Sequence, residues 1–102
     1  MLVFYSARRL KAGAWDQFRR AWDPGDDKPP GFQAAYHARN IRDEDEVISW
    51  GLFDMTVDEY HRWRGEAEAD ENQRVDRLSA FVENTHAAGV YELIETVENY
   101  EQ

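Results

Sequence analysis

Val47-Ile-Ser-Trp-Gly-Leu-Phe-Asp-Met-Thr-Val-Asp-Glu-Tyr-His-Arg-Trp63 decides the fold. Its first seven residues are β-prone and apolar, and its last seven have helical character. Between them Thr56 stands as an N-cap, with Glu59 three positions on to close a capping box. Tyr60 and Trp63 then share one helical face. The stretch predicts a strand, a capped corner and an aromatic helix, with large rings delivered beside a sheet.

Upstream, Leu2 to Ala7 reads as a first strand bounded by Arg8 and Arg9. A helix is expected from about Gly13 to Trp22, because Trp15, Phe18 and Trp22 recur at i, i+3 and i+7. That stripe reads as core. The breaker-rich run from Asp23 to Gly31 ends the helix. Phe32 to Asn40 reads as a second strand. Arg42 to Glu46 reads as a polar turn, joining it in a hairpin to a third strand over Val47 to Phe53.

Downstream, one helical region is expected from Thr56 to about Glu83, weakened near Gly65. Asn84 to Gly89 reads as a break, and Val90 to Val97 as the fourth strand. The order βαββαβ is an α+β, ferredoxin-like plan: a four-stranded antiparallel sheet with two helices on one face. Strand alternation leaves neither face of the sheet clearly polar. A second cover is therefore expected, most simply another copy of the same sheet in a homodimer.

The 102 residues fit one domain over 1–102, and 42% hydrophobic with 14% aromatic residues argues against disorder. A net charge of −9 disfavours nucleic acid as a partner. No apolar run is long enough for a membrane span, and the N-terminus lacks a signal-peptide layout, so a cytoplasmic protein is expected. There is no cysteine, which excludes disulfides, thiolate metal sites and cysteine nucleophiles.

The order of elements, the Pro30-Gly31-Phe32 lead-in to the second strand, and the Thr56-x-x-Glu59–Tyr60-x-x-Trp63 corner resemble the antibiotic biosynthesis monooxygenase superfamily. The resemblance covers nearly the whole chain. It implies a dimeric α/β barrel, with sheet packed on sheet and a pocket between the sheet and the helices of each protomer. It also implies a cofactor-free monooxygenase acting on an aromatic or quinol-type small molecule. By that likeness Trp63 and Tyr60 contact a ring, Ser6 hydrogen-bonds a substrate oxygen, and His37 or His61 is the base. The heme-degrading branch of the superfamily uses an Asn on the first strand, a Trp early in the second helical region and a later His. Here Trp63 matches the Trp, while Ser6 and Gln73 stand near the other two positions. Glutamine cannot replace the proximal imidazole, so heme degradation is not expected.

Each candidate also has a plainer reading. Tyr60 and Trp63 can be core residues of an amphipathic helix. His61, a neighbour of Tyr60, points elsewhere on the helix and can be solvated. His37 sits on a strand and can be structural. His86 reads as an exposed loop residue. No pair of histidines has metal-ligand spacing, so no metal is expected. Glu66, Glu68, Asp70 and Glu71 read as a solvated helix face, with Asp70 and Arg74 in the favourable i, i+4 order. From Arg64 to Arg74 there is little to bury, which suggests a loosely held flap over the pocket mouth. The rival from another class is a non-enzymatic dimeric ligand-binding or scaffold module of the same fold.

Overall fold

The computed structural model describes residues 1–23 and 28–98. The order is β1 (Leu2–Leu10), α1 (Trp15–Trp22), β2 (Phe32–Asn40), β3 (Asp43–Phe53), α2 (Val57–Glu66), α3 (Glu68–Ser79) and β4 (Val82–Glu92). All pairings are antiparallel, in the order β2-β3-β1-β4. This is the expected ferredoxin-like α+β fold, with β1 and β3 as central strands.

Four boundaries differ from the sequence reading. β1 continues through Arg8 and Arg9 to Leu10, because both charges find places on opposite faces of the strand. β3 begins at Asp43, inside the presumed polar turn. Arg9 makes that possible: its Nη1 lies 2.6 Å from Asp43 Oδ2 and 3.1 Å from Glu46 Oε1. The long helical region is two helices that meet at Ala67. β4 starts at Val82 and runs through the residues expected to break the chain. As an edge strand it takes hydrogen bonds from β1 alone, with bulges opposite Ala7/Arg8 and Arg9/Leu10, so low-propensity residues are tolerated there. The expected strand residues Leu93 to Val97 lie beyond its end.

The capping box forms as expected. Glu59 N–H donates to Thr56 Oγ1 and Thr56 N–H donates to Glu59 Oε1, each at 3.1 Å. These bonds hold the Glu59 carboxyl below its usual range.

The core is divided. At one end of the sheet Leu10, Phe18, Val47 and Leu78 are buried together, with Trp15, Trp22, Phe81 and Val82 packed against them. Phe18 is fully buried, as the α1 stripe requires. At the other end Leu2, Phe53 and Met55 form a second cluster with Phe4 and Tyr60. Between the clusters, on the same face of the sheet, the central strands carry Ser6 and Ser49. The opposite sheet face carries rings of its own: Tyr36 stacks on Trp50 at 5.2 Å, and Tyr5 meets Tyr91 edge-on at 6.4 Å.

Gly31 joins the β2 lead-in to the corner after β3. Its φ is +79°, and its carbonyl accepts from Asp54 N–H at 2.7 Å. A Cβ there would lie 2.1 Å from the Asp54 carbonyl oxygen. Gly31→Ala is therefore expected to destabilise the fold by at least about 1–3 kcal/mol in urea unfolding. The same substitution at Gly13 meets open space and carries only the cost of its positive φ.

Candidate functional site

The gap between the two core clusters is a cavity of about 340 Å³. Successive inward residues of β1 build its floor: Phe4, then Ser6, then Arg8. From β3 come Ser49, Gly51 and Phe53, and from β2 Phe32 and Ala35. Trp22 and Arg19 of α1, Trp63 of α2, and Glu71 and Arg74 of α3 supply the walls.

A polar row crosses the middle of the sheet. Ser6 pairs with Ser49, and Ser49 pairs with His37, so the three residues lie abreast on β1, β3 and β2. The serines are only 7% and 3% exposed. Both hydroxyls are engaged. Arg8 Nη1 donates to Ser6 Oγ at 2.6 Å, and Ser49 Oγ lies 2.7 Å from His37 Nδ1.

His37 stands behind Ser49 and does not itself line the cavity. Its ring is held edge-to-face by Trp22, Trp15 and Phe18, with centroids 4.6, 5.3 and 6.4 Å away. Nε2 is buried with no hydrogen-bond partner among the described residues. The tautomer assigned from these surroundings carries its proton on Nε2, which puts an N–H rather than a bare lone pair among the ring edges and faces. Nδ1 then accepts from the Ser49 hydroxyl. Burial, and then the nearby charges of Arg19, Arg8 and Arg74, push the His37 pKa down.

The other sequence candidates separate. Ser6 and Trp63 line the cavity. Tyr60 packs into the Leu2 cluster, edge-on to Phe4 at 5.6 Å, and supports the wall from behind. His61 is exposed on α2 and lies outside the cavity wall. His86 lies in β4 and reaches Glu46 Oε2 at 3.0 Å. Trp22, read as core, also faces the cavity. Among the described residues no group of His, Asp or Glu could hold a metal ion.

The arginines are what sequence reasoning misses. Arg8 reads as a strand boundary, although alternation one step past Ser6 places it inward. Arg74 reads as the partner of Asp70, but its Nε donates to the Trp22 carbonyl at 2.9 Å, and its Nη1 lies 3.7 Å from Glu71 Oε2. The first contact ties α3 to the end of α1 and the second lies within α3, so the presumed flap is helical and joined to α1 by a polar contact at Arg74. Glu71, expected on a solvated face, lines the cavity instead. Trp22 is flanked by two guanidiniums, Arg74 at 5.2 Å and Arg19 at 5.5 Å from its ring.

No family model matches the sequence, and no curated protein matches it. Solved structures do. SnoaB of Streptomyces nogalater, a cofactor-independent oxygenase solved as a single-residue mutant, superposes with a TM-score of 0.72 at 13% identity, over 94% of this chain and 95% of that one. A protein of Deinococcus radiodurans, provisionally named an antibiotic biosynthesis monooxygenase, gives 0.71 at 13% identity, over 99% and 100%. One of Chloroflexus aurantiacus with the same provisional name gives 0.68 at 10% identity, over 95% and 96%. The fold of this chain is thus the fold of the antibiotic biosynthesis monooxygenases, as the sequence resemblance implied.

His37 gives the site a pH signature. Its folded pKa lies below the ordinary value of 6.5, so as pH falls the unfolded chain binds a proton that the folded one refuses. Stability is expected to drop as pH falls through 6.5, and that drop levels off below the folded pKa. The slope from one proton is at most about 1.4 kcal/mol per pH unit. Urea unfolding between about pH 8 and pH 5 should show a shallower dependence in His37→Gln than in the wild type.

Proposed function

We propose that this protein is a cofactor-independent monooxygenase of an aromatic or quinol-type small molecule. The observation that carries the proposal is the open cavity between the two core clusters, with a polar row on its floor and Trp63 on its wall. A scaffold whose own rings fill the space would have no such cavity. At about 340 Å³ it is at the small end of ligand pockets, sized for a compact fused ring system.

In this chemistry the deprotonated substrate itself reduces oxygen. For an anthrone-like substrate, a ring CH₂ becomes a carbonyl, one oxygen atom enters the product, and the other leaves as water. The reaction balances without an outside reductant. The chain's part is to hold the ring, exclude bulk water and favour the anion. Trp63 and Phe4 offer apolar faces for the ring. Ser6 offers its hydroxyl proton to a ring oxygen, and Ser49 Oγ, whose own proton goes to His37, accepts from a ring hydroxyl.

Proton removal goes through Ser49 to His37 Nδ1. The same arginines that depress the His37 pKa stabilise a bound phenolate or enolate. They supply the driving force, and His37 acts as a relay that readily gives its proton up again. His61 takes no part. A second copy is expected to cover the open sheet face, where Tyr36, Trp50, Tyr5 and Tyr91 lie, to complete a dimeric barrel.

The alternative is a non-enzymatic binding module. It is favoured by one observation: among the three histidines, none reaches the cavity directly. Oxygen uptake with anthrone and quinol substrates separates the two. Uptake is expected, and Trp63→Ala should lower kcat/KM at least about tenfold, roughly 1.4 kcal/mol of transition-state stabilisation. Tryptophan quenching by the same compounds without uptake would leave the binding module.

A further inference from the structure

The cavity carries a charge that ring binding alone does not require. Arg8, Arg19, Arg74 and Lys28 line it, against Asp23 and Glu71. The chain as a whole carries −9, so the described lining has the opposite sign to the molecule around it. A local cationic pocket in an acidic protein selects anions while the remaining surface repels them.

Two adjacent residues of β1 show how the charge is distributed. Arg9, on the outer face, reaches three carboxylates: Asp43 at 2.6 Å, Glu46 at 3.1 Å and Glu83 at 3.4 Å. Arg8, on the inner face, is half-buried and hydrogen-bonds the neutral Ser6 hydroxyl. Among the described residues no carboxylate lies within ion-pair distance of Arg8 or Arg19. Arg74 spends its Nε on a backbone carbonyl and meets Glu71 only at the long distance of 3.7 Å.

Burial and mutual repulsion also lower the pKa of Arg8, and burial lowers that of Arg74. Among the described residues Glu71 and Asp23 offset part of the Arg74 charge and no carboxylate pairs with Arg8, so a bound anion offsets the remaining cost. Order along β1 adds a direction. Phe4, Ser6 and Arg8 are successive inward positions, about 13 Å from first to last at strand rise. They present a ring face, then a hydroxyl, then a guanidinium.

We propose that the ligand of this cavity is an aromatic carboxylate. Its ring lies against Phe4 and Trp63, and its carboxylate lies at the opposite end, received by Arg8, Arg19 and Arg74. Guanidinium forks match a carboxylate's two oxygens, which a single ammonium would not. The proposal deepens the monooxygenase reading by naming its substrate class, and it rests on the same cavity.

The test reads binding, by titration calorimetry at low salt, with 2-naphthoate against the isosteric 2-naphthamide. The carboxylate is expected to bind at least about tenfold tighter. Arg8→Gln and Arg19→Gln should each erode that preference, read as the ratio of naphthoate to naphthamide affinity within each variant. Arg19 is exposed on α1, so its variant keeps the test sound if Arg8→Gln folds poorly. Equal affinity for acid and amide, absence of naphthoate binding, or a preference that survives in Arg19→Gln and in a folded Arg8→Gln would overturn the proposal. Inorganic phosphate binding as tightly as naphthoate would assign the arginines to a free anion and overturn the aromatic part. Turnover does not enter the readout: failed oxygen uptake with a strong acid preference would end the monooxygenase reading and leave this one standing.

Discussion

The polar row formed by Ser6, Ser49 and His37 is the constraint around which the rest of this structure is arranged. A four-stranded sheet packed under helices normally fills its middle with large apolar side chains. Here the two central strands place hydroxyls there, opposite one another. Small polar groups cannot seed a core, so the apolar residues gather at the two ends of the sheet, around Leu10 and Phe18 and around Leu2 and Phe53. The helices bridge the interval and leave a cavity. Arg8 and His37 satisfy the hydroxyls, which keeps buried polar groups from lowering stability.

Charge follows the same geometry. Strand alternation turns Arg9 outward, to the carboxylates that start β3, and Arg8 inward, to the cavity. One pair of neighbouring residues thus does two jobs: it extends the hairpin and gives the site its sign. Arg74 links the end of α1 to α3 through the Trp22 carbonyl, so the two helical walls that carry Arg19 and Arg74 are fixed to each other. Burial among three aromatic rings, and then the three guanidiniums nearby, favour the neutral form of His37.

Much of the fold was legible because its signals are local. The Thr56–Glu59 box and the Trp15, Phe18, Trp22 stripe each depend on residues within two turns of one another. β4 was not legible in place: Asn84 to Gly89 has weak strand character, and only pairing with β1 holds it extended. Ser6 and Trp63 were singled out through the family resemblance, and strand alternation and the capped corner are what turn them toward the cavity. Arg8 escapes the sequence reading because a charge next to an apolar run looks like the end of a strand. Arg19 and Arg74 lie 55 residues apart in sequence and come to the same Trp22 ring only when α1 packs on α3. No short-range pattern announces that.

A crystal structure with bound 2-naphthol tests the divided core as a ligand site most directly. The account predicts the ring lying against the Phe4 and Trp63 rings, with its oxygen within hydrogen-bond distance of Ser6 or Ser49. A ring seated on the open sheet face, or a cavity closed by Phe4 and Trp22 meeting over the serines, would contradict it.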